Sequence, residues 1–246
     1  MKINDAASIV LIDQHGGGPR ILMGRRSRKH QFMPNVFVFP GGRVDYADRF
    51  APFAHDYNDE TLDLLLQQMK GRPTALRARM LGLAAIRETY EEVGLMLGCP
   101  QRSQRSYKNP AWNAFAAEGV LPDLSALTFI ARAITPPGRN RRFDTRFFLV
   151  TADDYLKNQT IRSSDELEDV QWVSFDEAFN LPTHFITQQI LKAAQSSLSH
   201  REQKTNISKV PFYRAKKGGD SFAKHLTYLK PYQAPDDGGE VIVEKT

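Results

Sequence analysis

Arg87-Glu88-Thr89-Tyr90-Glu91-Glu92-Val93-Gly94-Leu95 is the stretch on which the reading of this 246-residue chain turns. Leu83, Ala84, Ala85 and Ile86 lead into it with residues that favour a helix. At about 100° per residue, Glu88, Glu91 and Glu92 share one narrow arc of that helix. Leu83, Ile86, Tyr90 and Val93 fall opposite, as an apolar stripe that faces a core. Gly94 is placed to end the helix in a left-handed conformation. Arg87 lies one turn before Glu91 and pairs with it. An acidic run on a helix is ordinarily a solvated face. Three carboxylates held together beside an arginine also make an oxygen-donor set for a hard divalent cation, Mg²⁺ or Mn²⁺.

Upstream, Val36-Phe37-Val38-Phe39-Pro40-Gly41-Gly42 reads as a buried strand ending in a Pro-Gly-Gly turn. Paired glycines allow backbone to approach a ligand closely. Together, the glycine turn and the Arg-Glu-x-x-Glu-Glu-x-Gly-x run resemble the signature of the Nudix hydrolases. The chain departs from that signature in three places. Asp48 stands after Gly42 where the family has Glu, Thr89 takes a bulky apolar position, and 38 residues (49–86) replace the usual seven before Arg87. An interrupted box of this kind is similar to a branch that includes coenzyme A diphosphatases, and the resemblance covers roughly residues 8–194.

The resemblance implies an α/β chain with the Nudix fold, a mixed β-sheet sandwiched between α-helices, carrying a helical insertion inside the box. It implies a domain over 1–199, the insertion over about 49–80, and a basic, aromatic C-terminal extension over 200–246. It further implies metal-dependent hydrolysis of the diphosphate in a nucleoside diphosphate derivative, with CoA or acyl-CoA foremost. ADP-ribose, NADH, dinucleotides and RNA ends remain open as substrates, as does a non-catalytic binding or regulatory role. Gly41, Glu88, Glu91 and Glu92 are the implied metal ligands; the catalytic set is Arg87, Glu88, Glu91 and Glu166. Glu168 stands in reserve for Glu166. Arg26, Ser27, Arg43, Arg141 and Arg142 are the candidate substrate contacts. Arg26-Ser27 before Phe39-Pro40-Gly41-Gly42 is similar to part of a motif beside the box in CoA-directed members.

The remaining chain fits this frame. Hydrophobic residues make up 41% and charged residues 25%, ordinary for a globular protein. The net charge of +5 favours anionic partners such as nucleotides. Nucleic acid is the less favoured partner; RNA ends would require a steep salt dependence of binding. A single cysteine, Cys99, excludes an intramolecular disulfide and fits a reducing cytoplasm. The short apolar run 6–12 cannot span a bilayer and the N-terminus lacks a signal-peptide pattern, so a soluble, cytoplasmic protein is expected.

Strands are expected over 8–13 and 20–24 as a hairpin, over 127–133 and over 141–150, the last with outward-facing cations. Helices are expected over 61–69 with Asp59 as cap, over 110–118 behind Asn109, over 175–179 and over 183–198. The insertion helix suits a pocket wall or a homodimer interface, and equally an inert decoration. The six His residues form no ligand spacing such as His-x-x-x-His, so no zinc site is expected. The basic, aromatic tail suits packing over the domain or a partner subunit better than stacking on bases.

Overall fold

The computed structural model describes residues 2–15, 17–28, 35–102, 106–156, 159–202, 209–214 and 226–229, and the statements below concern these. Lys29-His30, much of the basic tail and the Pro235–Gly239 segment lie outside them. The strands are β1 (Ile3–Asp13), β2 (Arg20–Arg26), β3 (Phe37–Val38), β4 (Gly41–Arg43), β5 (Gly98–Pro100), β6 (Val120–Pro122), β7 (Thr128–Ile134), β8 (Arg142–Thr151), β9 (Leu167–Ser174), β10 (Val210–Tyr213) and β11 (Leu226–Leu229). The α-helices are α1 (Asp59–Leu66), α2 (Ala75–Val93), α3 (Pro110–Ala117), α4 (Asp153–Leu156), α5 (Phe175–Asn180) and α6 (Phe185–Glu202). Two 3₁₀ turns cover Tyr46–Phe50 and Leu124–Ala126.

The main sheet is mixed and runs β11-β10-β7-β8-β1-β2-β3, with β4 also paired to β1 and β9 to β2. Its centre is the parallel β1–β8 ladder, from Ile3↔Arg142 to Ile12↔Thr151. Side chains alternate across it as strand geometry demands. Ile9, Leu11, Phe148 and Val150 join the α1, α2 and α3 side, whereas Val10, Ile12 and Leu149 join the α5 and α6 side. This is the layout that the resemblance implies, helices on both faces of a mixed sheet.

One edge of β1 serves two partners. Ile12 and Asp13 pair with β2, whereas Ala6, Ala7 and Ser8 pair with β4. Between them the Ile9 N–H donates to Pro40 O at 3.0 Å, and the Ser8 hydroxyl donates to the same carbonyl at 2.7 Å. The Pro-Gly-Gly segment is therefore not a free turn. Only Phe37–Val38 of the expected strand pairs with β2, and Gly41-Gly42 begin a second short strand laid on β1. Gly41 has φ +153°, and a Cβ there would strike Ala7 O and Ser8 Cα at 2.5 Å, so no larger residue fits the ladder.

Helix α2 starts behind the Thr74 cap and ends at Gly94, which adopts φ +79° and donates its N–H to Tyr90 O at 2.9 Å. Leu83, Ile86 and Val93 are buried on its apolar stripe, each contributing about 1.5–3 kcal/mol. The first turn and a half of this helix lies in the stretch read as insertion, so the helical part of the insertion proper is α1, capped by Asn58 rather than Asp59.

The expectation of outward cations on β8 is corrected at Arg146, which is 1% exposed. An interior strand flanked by helices on both sides has no outward face. Arg146 is paired with Asp5 and Asp144, each at 3.1 Å. Beside it Arg132 grips Asp144 and the carbonyls of Gln67 and Gln68 at the end of α1, and stacks 4.3 Å from the ring of Phe212 in β10. That strand runs parallel to β7, so part of the C-terminal extension belongs to the domain's sheet.

Candidate active site

Arg87 organises the site. Its Nε donates to Asp48 Oδ1 at 2.8 Å and Nη2 to Asp48 Oδ2 at 3.2 Å. Nη2 also reaches the Arg43 carbonyl at 3.0 Å, and Nη1 holds Glu88 Oε1 at 2.7 Å and Glu91 Oε2 at 2.9 Å. The guanidinium thus orients two of the helix carboxylates from a base that is itself nearly buried. Burial alone would favour losing its proton; the hydrogen bond to Asp48 and the surrounding carboxylates outweigh that and hold it firmly charged.

Asp48 is fully buried and also accepts from the Asp45 N–H at 2.8 Å, closing a capping box on the 3₁₀ turn. The sequence reading placed Asp48 at the edge of the insertion; the structure makes it a supporting wall of the site. Thr89 is buried as well, and its hydroxyl donates to Ala85 O at 2.8 Å. A polar residue is tolerated at that apolar position because the helix's own carbonyl satisfies it.

Glu92 lies behind β4 and accepts the Gly41 N–H on Oε2 at 2.8 Å. Burial pushes its carboxyl up to about 8, against the opposing pull of that hydrogen bond and of Arg26. Burial also raises Glu88, partly offset by Arg87. A Cβ on Gly42 would collide with the Glu88 carboxylate. Arg87 holds Asp48, Glu88 and Glu91, and Arg26 acts on Glu92 at longer range; with Asp48 spent on Arg87, Glu88, Glu91 and Glu92 remain as oxygen donors. This hard oxygen donor set, charged beyond its own cations, fits a divalent cation of the Mg²⁺ or Mn²⁺ type.

Asp48 and Glu92 stand buried behind the lining of a cleft beside β4 and the end of β2, onto which Glu88 and Glu91 open. Its volume of about 700 Å³ is typical of small-molecule sites. Arg26, Arg43, Arg87, Arg139 and Arg141 line it together with Glu88, Glu91, Glu166 and His184. Arg26 sits in the field of Glu92, Glu166 and Glu88, although burial, the larger influence, lowers its proton affinity. Burial, and then Arg139, also lower that of His184, which favours a neutral imidazole in the cleft.

Three candidates lie elsewhere. Ser27 is buried, and its N–H donates to the Glu166 carbonyl at 3.1 Å, so it braces the loop and does not line the cleft. Arg142 donates to Thr135 O at 3.0 Å, outside the cleft lining. Glu168 is engaged by Arg25 at 3.0 Å. The sequence reading missed Arg139 and His184. Arg139 had a signal, since Arg139-Asn140-Arg141-Arg142 is a cationic cluster after a Pro-Pro-Gly loop; His184 had none.

No family model matches the chain. The chain is 28% identical over 190 residues to the putative nudix hydrolase 7 of Caenorhabditis elegans, covering 71% of this chain and 54% of that protein. It is 27% identical over 215 residues to the acyl-coenzyme A diphosphatase NUDT19 of Gallus gallus, covering 64% and 54%. The crystal structure of a NUDIX hydrolase from Alicyclobacillus acidocaldarius superimposes with a TM-score of 0.60 at 25% identity, covering 80% of this chain and 92% of that one. The chain has the Nudix fold and is similar in sequence to Nudix hydrolases. It spans about half the length of the curated relatives it matches. Within the Nudix architecture the split of β1 between β2 and β4 sets the glycine backbone against Glu88 and Glu92. The long insertion leaves the Nudix box intact in space, because Asp48 reaches Arg87 across 39 positions of sequence.

Proposed function

We propose that this Nudix protein hydrolyses the diphosphate linkage of a nucleoside diphosphate derivative, with CoA or an acyl-CoA as the preferred substrate. The observation that carries the reading is the Arg87-oriented carboxylate set opening onto a cleft lined by Arg26, Arg43, Arg139 and Arg141. A diphosphate is a polyanion, and guanidinium groups bind phosphate oxygens in pairs. CoA carries a 3′-phosphate besides its diphosphate, which suits this surplus of arginines. Phe143, Phe147, Val38 and Ile186 supply apolar lining for the uncharged arm. The coenzyme A relative named above points to the same substrate class.

Glu88, Glu91 and Glu92, with backbone at Gly41, would hold Mg²⁺ or Mn²⁺. Such an ion supplies charge neutralisation at the phosphates and a more acidic water. The protein's own residues do the rest. Arg87 fixes the aim of Glu88 and Glu91; Arg26, Arg139 and Arg141 bind and orient the phosphates. Glu166, exposed on the cleft wall, accepts the proton of the attacking water. The new bond is water oxygen to phosphorus and the bond lost is phosphorus to the bridging oxygen. CoA yields phosphopantetheine and adenosine 3′,5′-bisphosphate.

The test is a hydrolysis screen with each metal over CoA, acyl-CoAs, ADP-ribose, NADH and dinucleoside polyphosphates, using wild type and Glu91→Gln. The expected result is highest kcat/KM on a CoA species and a loss of at least about 100-fold in the variant. Turnover of ADP-ribose without any CoA species overturns the substrate assignment. Full activity of Glu91→Gln overturns the site.

A further inference from the structure

Away from the cleft, three segments converge on a second constellation. His55 comes from the insertion, Cys99 from β5, and Asp123 from the junction of β6 with the 3₁₀ turn at 124–126. Cys99 Sγ lies 3.0 Å from Asp123 Oδ2 and 3.8 Å from His55 Nδ1, and His55 Nδ1 lies 3.6 Å from Asp123 Oδ1. None of the three lines the catalytic cleft.

We propose that His55, Cys99 and Asp123 form a Zn²⁺ site that ties the box insertion to the β5–β6 hairpin. Bond lengths of about 2.0–2.3 Å and tetrahedral angles place zinc ligand atoms roughly 3.4–3.6 Å apart. The observed spacings, taken over the two carboxylate oxygens of Asp123, bracket that range. Thiolate, imidazole and carboxylate are the three ligand types zinc takes, and thiolate is foreign to magnesium. Water completes the fourth position, reached past the exposed ring of His55.

The main chain holds all three residues independently of their side chains. His55 O accepts the Leu124 N–H at 3.0 Å, Asp123 N–H donates to Leu97 O at 3.3 Å, and Cys99 pairs with Leu121. Asp123 is braced a second time. Its Oδ1 accepts the Ser125 N–H at 2.9 Å and the Ser125 hydroxyl at 2.6 Å, which leaves Oδ2 directed to Cys99. A ligand carboxylate held by such a partner is what a zinc centre requires. A catalytic Cys–His pair is the other chemistry these residues offer. The thiol donates to Asp123 and stands off from His55, so the imidazole does not activate it as a nucleophile.

Cys99 is the sole cysteine of the chain, which makes the test specific. Metal-stripped protein is titrated with Co²⁺ in excess Mg²⁺, which occupies the catalytic carboxylates. The expected result is a thiolate-to-cobalt charge-transfer band that saturates at one equivalent and is abolished by Zn²⁺. The band should be absent in Cys99→Ala, and His55→Ala should weaken binding by at least about tenfold. Circular dichroism checks that both variants are folded. A folded wild type that gives no thiolate–cobalt band at about tenfold excess of metal overturns the proposal. Equal Zn²⁺ affinity in wild type and folded Cys99→Ala also overturns it, because the ion is then held elsewhere. Either outcome leaves the hydrolase reading untouched, since these residues stand outside the cleft.

Discussion

Asp48 is a short acid where the Nudix pattern carries a longer one, yet it is fully buried and holds the guanidinium of Arg87 through both oxygens. Removing one partner of a buried ion pair leaves the other charge desolvated and uncompensated, a loss of about 3–5 kcal/mol. Asp48→Ala is therefore expected to lose about that much in urea unfolding and to lower kcat by releasing Glu88 and Glu91 from their common anchor. Unchanged stability would mean that Arg87 finds its support elsewhere. The Arg87–Glu91 pair was legible in the sequence because one helical turn separates the two residues. The Asp48 contact was not, because 39 positions intervene and only the closed fold brings them together. For the same reason Ser27 and Arg142 read as phosphate ligands, while the structure turns one into a loop brace and anchors the other on the Thr135 carbonyl.

The second half of α2, from Leu83 to the Gly94 stop, was readable because its stripe, its carboxylate arc and its glycine stop are local signals; its start at Ala75 was not, and fell in the stretch read as insertion. Strand β4 was not. Two glycines after a proline look like a turn, and only pairing with Ala7 and Ser8 makes them a strand. That pairing matters for chemistry, because it sets glycine backbone against the carboxylates of Glu88 and Glu92. Gly42→Ala places a methyl group against Glu88 while leaving the ladder intact. Its expected effect is a fall of at least about tenfold in kcat/KM and weaker Mn²⁺ binding by calorimetry, without loss of the folded state. Normal Mn²⁺ affinity in the folded variant would show that Glu88 yields to the methyl group at no cost to the site.

Across the whole molecule, the insertion and the C-terminal extension meet at Arg132. This arginine spans the end of α1, Asp144 on β8 and the ring of Phe212 on β10. No local pattern announces such a junction; the sequence showed only a basic, aromatic tail. Phe212 is 1% exposed, and Phe212→Ala is expected to destabilise the protein by about 3–5 kcal/mol. A change below about 1 kcal/mol in denaturant unfolding would mean that β10 adds little to the domain. The central ladder also has a consequence for synthesis. Strand β1 leaves the ribosome well before its parallel partner, which begins 139 residues later at Arg142 (142 − 3). At about 5–20 residues per second, that is a wait of roughly 7–28 s. During it, the edge of β1 that β8 covers in the folded sheet lacks its partner. Ribosome-stalled chains ending near residue 130 should be cleaved rapidly by protease, and chains long enough to clear Thr151 from the exit tunnel should resist it. Equal resistance at both lengths would show that β1 finds shelter before its partner arrives.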